Sequence, residues 1–223
     1  MNLIEEALRE GRKALSEYQS KELLASYGIP VVKERLVGTP EEAIEAAREI
    51  GFPVVLTGCS PQISHKTELK LIKLNLKDER GVIKAFSEIR KNAKVPLDGV
   101  LVREMVDGQR ELIIGMTRDP QFGPCVMFGL GGIFTEVLKD VSFRVAPLSR
   151  TDAMETIKEI KGYPILGAFR GQRPVDMDVL CDALIAVGRI GLDFEQIKEI
   201  DVNPLIVKED KPIAVDALVV LEE

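Results

Sequence analysis

The sequence has a single histidine, His65, no tryptophan and three cysteines among its 223 residues. Because Cys59, Cys125 and Cys181 are odd in number and widely separated, they form neither a disulfide framework nor a zinc-ligand spacing. The net charge is −6 and the longest basic runs are pairs, so a polybasic footprint for nucleic acid or lipid is missing. These shortages predict an ordinary globular protein that has no nucleic-acid partner.

Long apolar runs are also missing. No window approaches the roughly eighteen apolar residues that a membrane helix needs. The N-terminus, "MNLIEEALREGRK", carries acids where a secretory signal needs an uninterrupted apolar stretch. We therefore expect a cytoplasmic protein without membrane contact. What is present, 45% hydrophobic and 30% charged residues, suffices to bury a core in one large or two small domains.

Helical and extended patterns alternate along the chain and predict an α+β fold. Thr39, Pro40 and Glu42 have the pattern of a helix start with a capping box, and Gly51 ends that helix. Apolar spacing predicts further helices at 78–93, 151–161 and 175–194. Strands are expected in "PVVL", "KLIKLNL", "DGVLVREMV", "RELIIGMTRD", "PCVMFGLGG", "FTEVL" and "SFRVAPL", with a closing hairpin at 197–221.

The segment "FGLGG", residues 128–132, is the first of three that suit chemistry. Glycines at three of four positions after a strand would let backbone N–H groups approach a phosphate closely. The spacing matches neither G-x-x-x-x-G-K-[ST] nor the full G-x-G-x-x-G. On these residues alone, a structural turn and a phosphate cradle are both open.

The second segment is "EIDVNPLIV" with the later "AVDALVV". Because side chains alternate along a strand, Asp201 and Asn203 face the same side, and a hairpin return brings Asp216 beside them. Two carboxylates and an amide oxygen are the hard ligands that Mg²⁺ favours, and nucleotide phosphates and water complete its shell. The alternative is a turn at Asn203-Pro204 with solvated acids.

The third segment is "SPQISHKTE", residues 60–68, which carries the single histidine. A lone histidine is commonly structural, but this loop is too polar for a core strand. A neutral imidazole, with a pKa of about 6.5, is a nitrogen nucleophile at physiological pH. Lys66 would place a cation beside a phosphoryl group on His65. This setting favours a covalent phosphohistidine.

With these motifs, the chain resembles the β subunits of ADP-forming acyl-CoA (acetyl-CoA) synthetases, which are ATP-grasp proteins of the succinyl-CoA synthetase superfamily. The resemblance also rests on "TRDPQFGPCVMFGLGGIFTEVLKDVSFRVAPL" at 117–148 and on "KGYPILGAFRGQRPVD" at 161–176. It covers nearly the whole chain, and the segment at 117–148 is highly specific to the family.

The resemblance implies an ATP-grasp fold of two α+β subdomains with the nucleotide in the cleft between them. Residues 24–99 would form the first subdomain, and residues 1–23 with 100–223 the second. The implied reaction is acyl-CoA + ADP + phosphate ⇌ acid + CoA + ATP, with Mg²⁺ and phosphohistidine intermediates. A CoA-binding α subunit is the implied partner, most simply in an α2β2 hetero-oligomer.

The resemblance also implies residue roles. His65 would carry the phosphoryl group, and Asp201 would orient the phosphohistidine through its second ring nitrogen. Asn203 and Asp216 would bind Mg²⁺. Nucleotide contacts are implied for the adenine hinge Glu104, Met105 and Val106, for Glu111, for Arg144, and for the phosphate-site glycines Gly129, Gly131 and Gly132.

The sequence departs from the family pattern at three positions. Thr57 stands where the family has a lysine that binds ATP, and Lys70 and Leu71 replace two glycines. Lys66, Lys70 or Lys73 could supply the missing charge. These departures leave open an alternative function, in which a catalytically impaired ATP-grasp subunit acts as a nucleotide sensor or as the structural partner of an α subunit.

Overall fold

The computed structural model describes residues 3–63, 69–132, 140–168 and 171–222. Its helices are α1 (Leu3–Arg9), α2 (Glu17–Ser26), α3 (Pro40–Ile50), α4 (Glu79–Asn92), α5 (Arg150–Glu159) and α6 (Met177–Asp193), with a 3-10 helix at Tyr163–Leu166. Its strands are β1 (Glu34–Val37), β2 (Val54–Cys59), β3 (Ile72–Leu76), β4 (Gly99–Glu104), β5 (Glu111–Asp119), β6 (Gly123–Leu130), β7 (Val141–Val145), β8 (Ile197–Lys208), β9 (Lys211–Ala214) and β10 (Ala217–Leu221).

The chain divides into two compact units. The larger unit consists of Met1–Leu15, Gln19–Val31 and Asp107–Glu223, and the smaller of Ser16–Tyr18 and Val32–Val106. Residue 99, where the first subdomain was expected to end, lies inside the smaller unit. The reason is strand pairing, because β4 is hydrogen-bonded between β1 and β2 and therefore stays with them.

The smaller unit is a four-stranded antiparallel sheet, ordered β1-β4-β2-β3, that packs against α3 and α4. Helix α3 begins at the predicted capping box: Thr39 Oγ1 accepts from Glu42 N at 3.2 Å, and Glu42 Oε2 accepts from Thr39 N at 3.2 Å. Ala47 of α3, Phe86 of α4 and Leu56 of β2 lie in one buried core. Burying a side chain of the size of Phe or Leu contributes about 1.5–3 kcal/mol.

The larger unit is a six-stranded sheet, ordered β10-β8-β5-β6-β7 with β9 paired to β8. Helices α5 and α6 pack on one face, where Phe128, Val187 and Ile200 are buried. The N-terminal helix α1 contributes Ile4 and Ala7 to the same core. The other face carries the residues that alternate with these core positions along each strand.

The sequence patterns located helices α3 to α6 and strands β3 to β6 to within two residues, whereas β2 and β7 each differ by three residues at one end and no element was expected at α2 or β1. Helix α6, expected at 175–194, begins at the N-cap Asp176, whose Oδ1 accepts from Asp178 N and Val179 N at 3.1 Å. The expected strand "FTEVL" falls outside the described residues. No helix in the described part of the chain is long and apolar enough to cross a membrane.

Candidate functional site

The acidic residues singled out in the sequence lie on β8 and on the segment that leads into β10. Asn203 N donates to the Asp216 carbonyl oxygen at 3.3 Å, which makes the two residues cross-strand neighbours. Asp201 is opposite Leu218 of β10 and lies two residues before Asn203 on the same side of β8. Because β8 is continuous through Pro204, the alternative of a turn at Asn203-Pro204 is wrong.

This acidic group lies on the sheet face away from α5 and α6. Pairing across the sheet places Leu218, Asp201, Gly115, Met127 and Phe143 in one row. Phe143 is 55% exposed and Leu218 is 39% exposed, whereas residues of the opposite face are buried. The site therefore stands on the face that the helices of this unit leave uncovered.

Burial, together with the negative charges of Glu199 and Asp216, raises the pKa of Asp201 to about 6. Asp216 Oδ1 accepts a hydrogen bond from Ala217 N at 2.9 Å. The negative potential that Asp201 experiences is of the sign that favours a cation nearby.

The donor set fits magnesium. Asn203 on β8 offers an amide oxygen, and Asp216 on the neighbouring segment before β10 offers a carboxylate. Mg²⁺ usually takes one or two carboxylates from protein while keeping water and phosphate oxygens. Among the described residues, no group of three or more His, Cys, Asp or Glu side chains forms a complete metal cage. An ion held jointly by protein and nucleotide is compatible with both observations.

The glycine segment ends β6 and turns against β5. Gly131 N donates to the Glu111 carbonyl oxygen at 2.6 Å, and a Cβ on Gly131 would lie 2.9 Å from Glu111. Gly132 has φ +63°, a conformation that favours glycine. Glu111, Gly131 and Gly132 also line a cavity of about 310 Å³ with Leu130 and Ile165. The glycines thus serve a tight turn, and their backbone also faces open space.

Gly129 has a different role in the fold. It lies within β6 between Ile113 and Val141, and a Cβ there would approach Val141 Cγ1 to 2.8 Å. Strand packing alone therefore explains this glycine.

The hinge residues lie at the end of β4, with Glu104 as its last residue. Glu104 N donates to Lys33 O at 3.0 Å, and Glu104 Oε1 accepts from Lys33 N at 3.1 Å. Met105 N donates to Pro53 O at 3.3 Å, and the Met105 side chain is 39% exposed. Within the described residues, the amide of Val106 has no partner. Of the three hinge N–H groups, that of Val106 is the one available to a ligand.

Arg144 is engaged with helix α5. Its Nη2 donates to Glu159 Oε1 at 2.7 Å and its Nε to Thr156 Oγ1 at 3.2 Å. Its role as a phosphate contact stays a prediction. His65 and Lys66 lie outside the described residues, and the carrier role of His65 also stays a prediction.

Thr57 is fully buried on β2, and its hydroxyl has no hydrogen-bond partner in the described structure. Lys73 forms an ion pair with Glu88, and its register partner is Leu56, so it lies on the other side of the sheet from Thr57. Lys70 is exposed and has φ +57°. Lys73 is therefore paired with Glu88 and does not supply the charge that is missing at Thr57.

Three buried cations in the described part of the chain, Lys21, Arg103 and Arg110, were missed by the sequence reasoning. Arg110 is 5% exposed, and its guanidinium donates to the carbonyl oxygens of Gly167, Arg173 and Glu209, among others. Burial lowers its pKa. Lys21 is 1% exposed and donates to Val215 O at 3.2 Å. The signal for Lys21 was its helical spacing from the buried Leu24.

Comparisons with known proteins agree on the family. A family model described as ATP-grasp domain matches residues 6–221. The β subunit of acetate–CoA ligase (ADP-forming) I from Pyrococcus furiosus is 49% identical over 98% of this chain and 96% of its own.

Solved structures of acetyl-coenzyme A synthetase 1 from Ca. Korarchaeum cryptofilum are similar throughout. The complex with coenzyme A and Ca-AMPCP has TM-score 0.94 and 49% identity, and the complex with coenzyme A and Mg-AMPPCP has TM-score 0.88 and 50% identity. Each covers 99% of this chain and 98% of the matched chain. In the second, the phosphohistidine segment points towards the nucleotide binding site. The chain therefore belongs to the ATP-grasp family and, within it, to the β subunits of ADP-forming acetate–CoA ligases.

Proposed function

We propose that this chain binds ADP or ATP with Mg²⁺ and passes a phosphoryl group between His65 and the nucleotide, as the β subunit of an ADP-forming acyl-CoA synthetase. The observation that carries the proposal is the placement of Asn203 opposite Asp216, with Asp201 on the same face of an uncovered sheet. A CoA-binding α subunit supplies the acyl chemistry, most simply in an α2β2 assembly. The complex works in the cytoplasm, where its nucleotide and CoA are found.

The residue roles follow from the donor types. Asn203 and Asp216 hold Mg²⁺, which when bound neutralises phosphate oxygen charge during transfer. The free N–H of Val106 donates to the adenine ring, beside Glu104 and Met105. The nucleotide is also contacted at Glu111, at Arg144 and at the glycines Gly129, Gly131 and Gly132.

The transfer step is balanced as follows. The bond between phosphorus and the His65 ring nitrogen breaks as a β-phosphate oxygen of ADP bonds to phosphorus. The electron pair of the broken bond stays on that nitrogen, and because the other ring nitrogen already carries a proton, His65 is left as a neutral imidazole. Asp201 accepts a hydrogen bond from the other ring nitrogen and so holds the ring in one orientation.

Mg²⁺-dependent ADP binding, measured by calorimetry on the wild-type protein and on Asp216→Asn, tests the nucleotide site. The wild type should bind, and Asp216→Asn should need much more Mg²⁺ for the same ADP affinity. Glu22→Gln, an exposed acid on α2, is the matched control and should behave as wild type. Identical Mg²⁺ dependence in all three proteins would contradict the metal assignment.

A second candidate function is favoured by Thr57. Its side chain is fully buried and lacks the charge that the family pattern places there. A subunit that binds nucleotide without transferring phosphate would act as a sensor or as a structural partner. Binding and phosphotransfer measured separately distinguish the two functions, because the sensor binds ADP and leaves His65 unlabelled.

A further inference from the structure

Lys21 is a buried titratable residue for which the function proposed above has no use. Its side chain is 1% exposed and is among the largest fully buried side chains in the described structure. It shares one face of α2 with Glu17, Ser20 and Leu24, at helical spacing. Burying an ammonium group is costly unless hydrogen bonds satisfy it, so an apolar side chain of similar size would fill this place at lower cost.

The ammonium group is directed at the segment that carries Asp216. Lys21 Nζ donates to the Val215 carbonyl oxygen at 3.2 Å, and Val215 N donates to Pro204 O at 3.0 Å. The next residue, Asp216, accepts from Asn203 N through its carbonyl oxygen at 3.3 Å. The Val215–Asp216 segment is therefore held by β8 on one side and by Lys21 on the other.

We propose that Lys21 is a positioning residue for the metal ligand Asp216. Without its ammonium group, the Val215 carbonyl loses the partly buried hydrogen bond from Lys21 and the segment shifts, which moves the Asp216 carboxylate away from Asn203. The inference rests on the proposed function, because it assumes that Asp216 binds the metal.

The experiment measures metal binding, which does not require turnover. Mn²⁺ replaces Mg²⁺ as a paramagnetic probe, and free Mn²⁺ is followed by electron paramagnetic resonance at saturating ADP. The variants are Lys21→Met, which keeps the volume and removes the donor, and Asp216→Asn. Ser20→Ala is the matched control, because Ser20 Oγ accepts from Val219 N at 3.2 Å on the same helix face, beyond the Asp216 segment. Thermal unfolding of each protein is recorded in parallel.

We expect Lys21→Met to raise the Mn²⁺ dissociation constant about 10-fold, as loss of a supporting partner does in metal sites, while Ser20→Ala stays at the wild-type value. The inference would be overturned if Lys21→Met bound Mn²⁺ with wild-type affinity, or if Lys21→Met and Ser20→Ala lost affinity equally. In either case, Asp216→Asn still tests separately whether Asp216 binds the metal. Weak Mn²⁺ binding by the wild type itself would overturn the proposed function and the inference together. If Lys21→Met does not fold, Lys21→Gln, whose shorter amide cannot reach as far, takes its place with the same expected rise.

Discussion

Thr57 carries a polar atom that the fold does not use. Its hydroxyl is buried without a partner, and a buried unsatisfied group costs about 1–3 kcal/mol. Thr57→Val keeps the shape and removes that cost, so we expect the free energy of unfolding of the isolated chain to rise by about 1 kcal/mol in a urea titration.

Thr156 provides the matched comparison. It is also fully buried, but its hydroxyl donates to Asp152 O at 2.7 Å and accepts from Arg144 Nε at 3.2 Å. Thr156→Val should therefore lower the free energy of unfolding. A loss of stability in Thr57→Val would mean that its hydroxyl has a partner after all.

Lys70 keeps a glycine-like backbone without being glycine. Its φ of +57° costs a residue with a Cβ about 1–2 kcal/mol, and the family pattern has glycine at this position. Lys70→Gly should raise the free energy of unfolding by roughly 0.5–1 kcal/mol. Glycine removes the backbone strain, but the greater freedom of glycine in the unfolded chain cancels part of that gain. Asn75→Gly, at φ +55°, should gain less because asparagine tolerates this region. Equal gains in both variants would contradict the strain argument.

Variants of Lys70 also test whether its ammonium group replaces the charge of the lysine that the family has in place of Thr57. If its ammonium group replaces the charge absent at Thr57, Lys70→Gly weakens ADP binding roughly 10- to 100-fold and Thr57→Lys restores it. If the charge is simply missing, Thr57→Lys alone tightens ADP binding. Calorimetry on wild type, both single variants and the double variant separates the two cases. The same affinity in all four would contradict the placement of the phosphate pocket.

At the scale of elements, Glu17, the first residue of α2, forms a buried ion pair with Arg103 of β4. Arg103 Nη1 donates to Glu17 Oε1 at 2.6 Å, with the two side chains 7% and 2% exposed. Removing one partner breaks this ion pair in a buried place, so Glu17→Gln should lower the free energy of unfolding by about 3–5 kcal/mol. The double variant Glu17→Met/Arg103→Met should lose less than either single variant, because it removes both charges from the buried site.

The control for this pair is exposed. Arg35 is paired with Glu45 and Glu49 at the surface, with its side chain 41% exposed, and Arg35→Gln should change stability little. Equal losses in Arg35→Gln and Glu17→Gln would contradict the importance of burial. Both are read from chemical denaturation monitored by circular dichroism.

The elements also show what sequence patterns can locate. The capping box at Thr39 and the alternation that places Asp201 beside Asn203 are local rules, and both were predicted. The burial of Lys21 was not, because lysine is mostly exposed and only the packing of α2 on the Val215 segment reveals its partner. Likewise, nothing local indicates that β4 pairs with both β1 and β2 and so moves the unit boundary to Val106.

At the scale of the whole molecule, the family assignment rests on nearly the entire chain, whereas the activity depends on a few residues within it. The departures at Thr57, Lys70 and Leu71 lie in the smaller unit, and the intact acidic group lies in the larger one. We therefore expect the departures to affect nucleotide binding and phosphotransfer to different extents, which is why the two are measured separately.

The central claim is that His65 exchanges a phosphoryl group with bound nucleotide. The full chain, purified with any partner that accompanies it, is incubated with Mg²⁺ and ATP labelled at the γ-phosphate, and the reaction is stopped in base. A phosphoramidate survives base and is lost in acid. We predict that the wild-type chain carries a label that is stable in base and labile in acid, and that His65→Ala carries none. When ADP is added to the labelled wild-type chain, the label should appear in ATP. Undiminished label in His65→Ala, or an unlabelled wild type that still binds ADP, would contradict the claim.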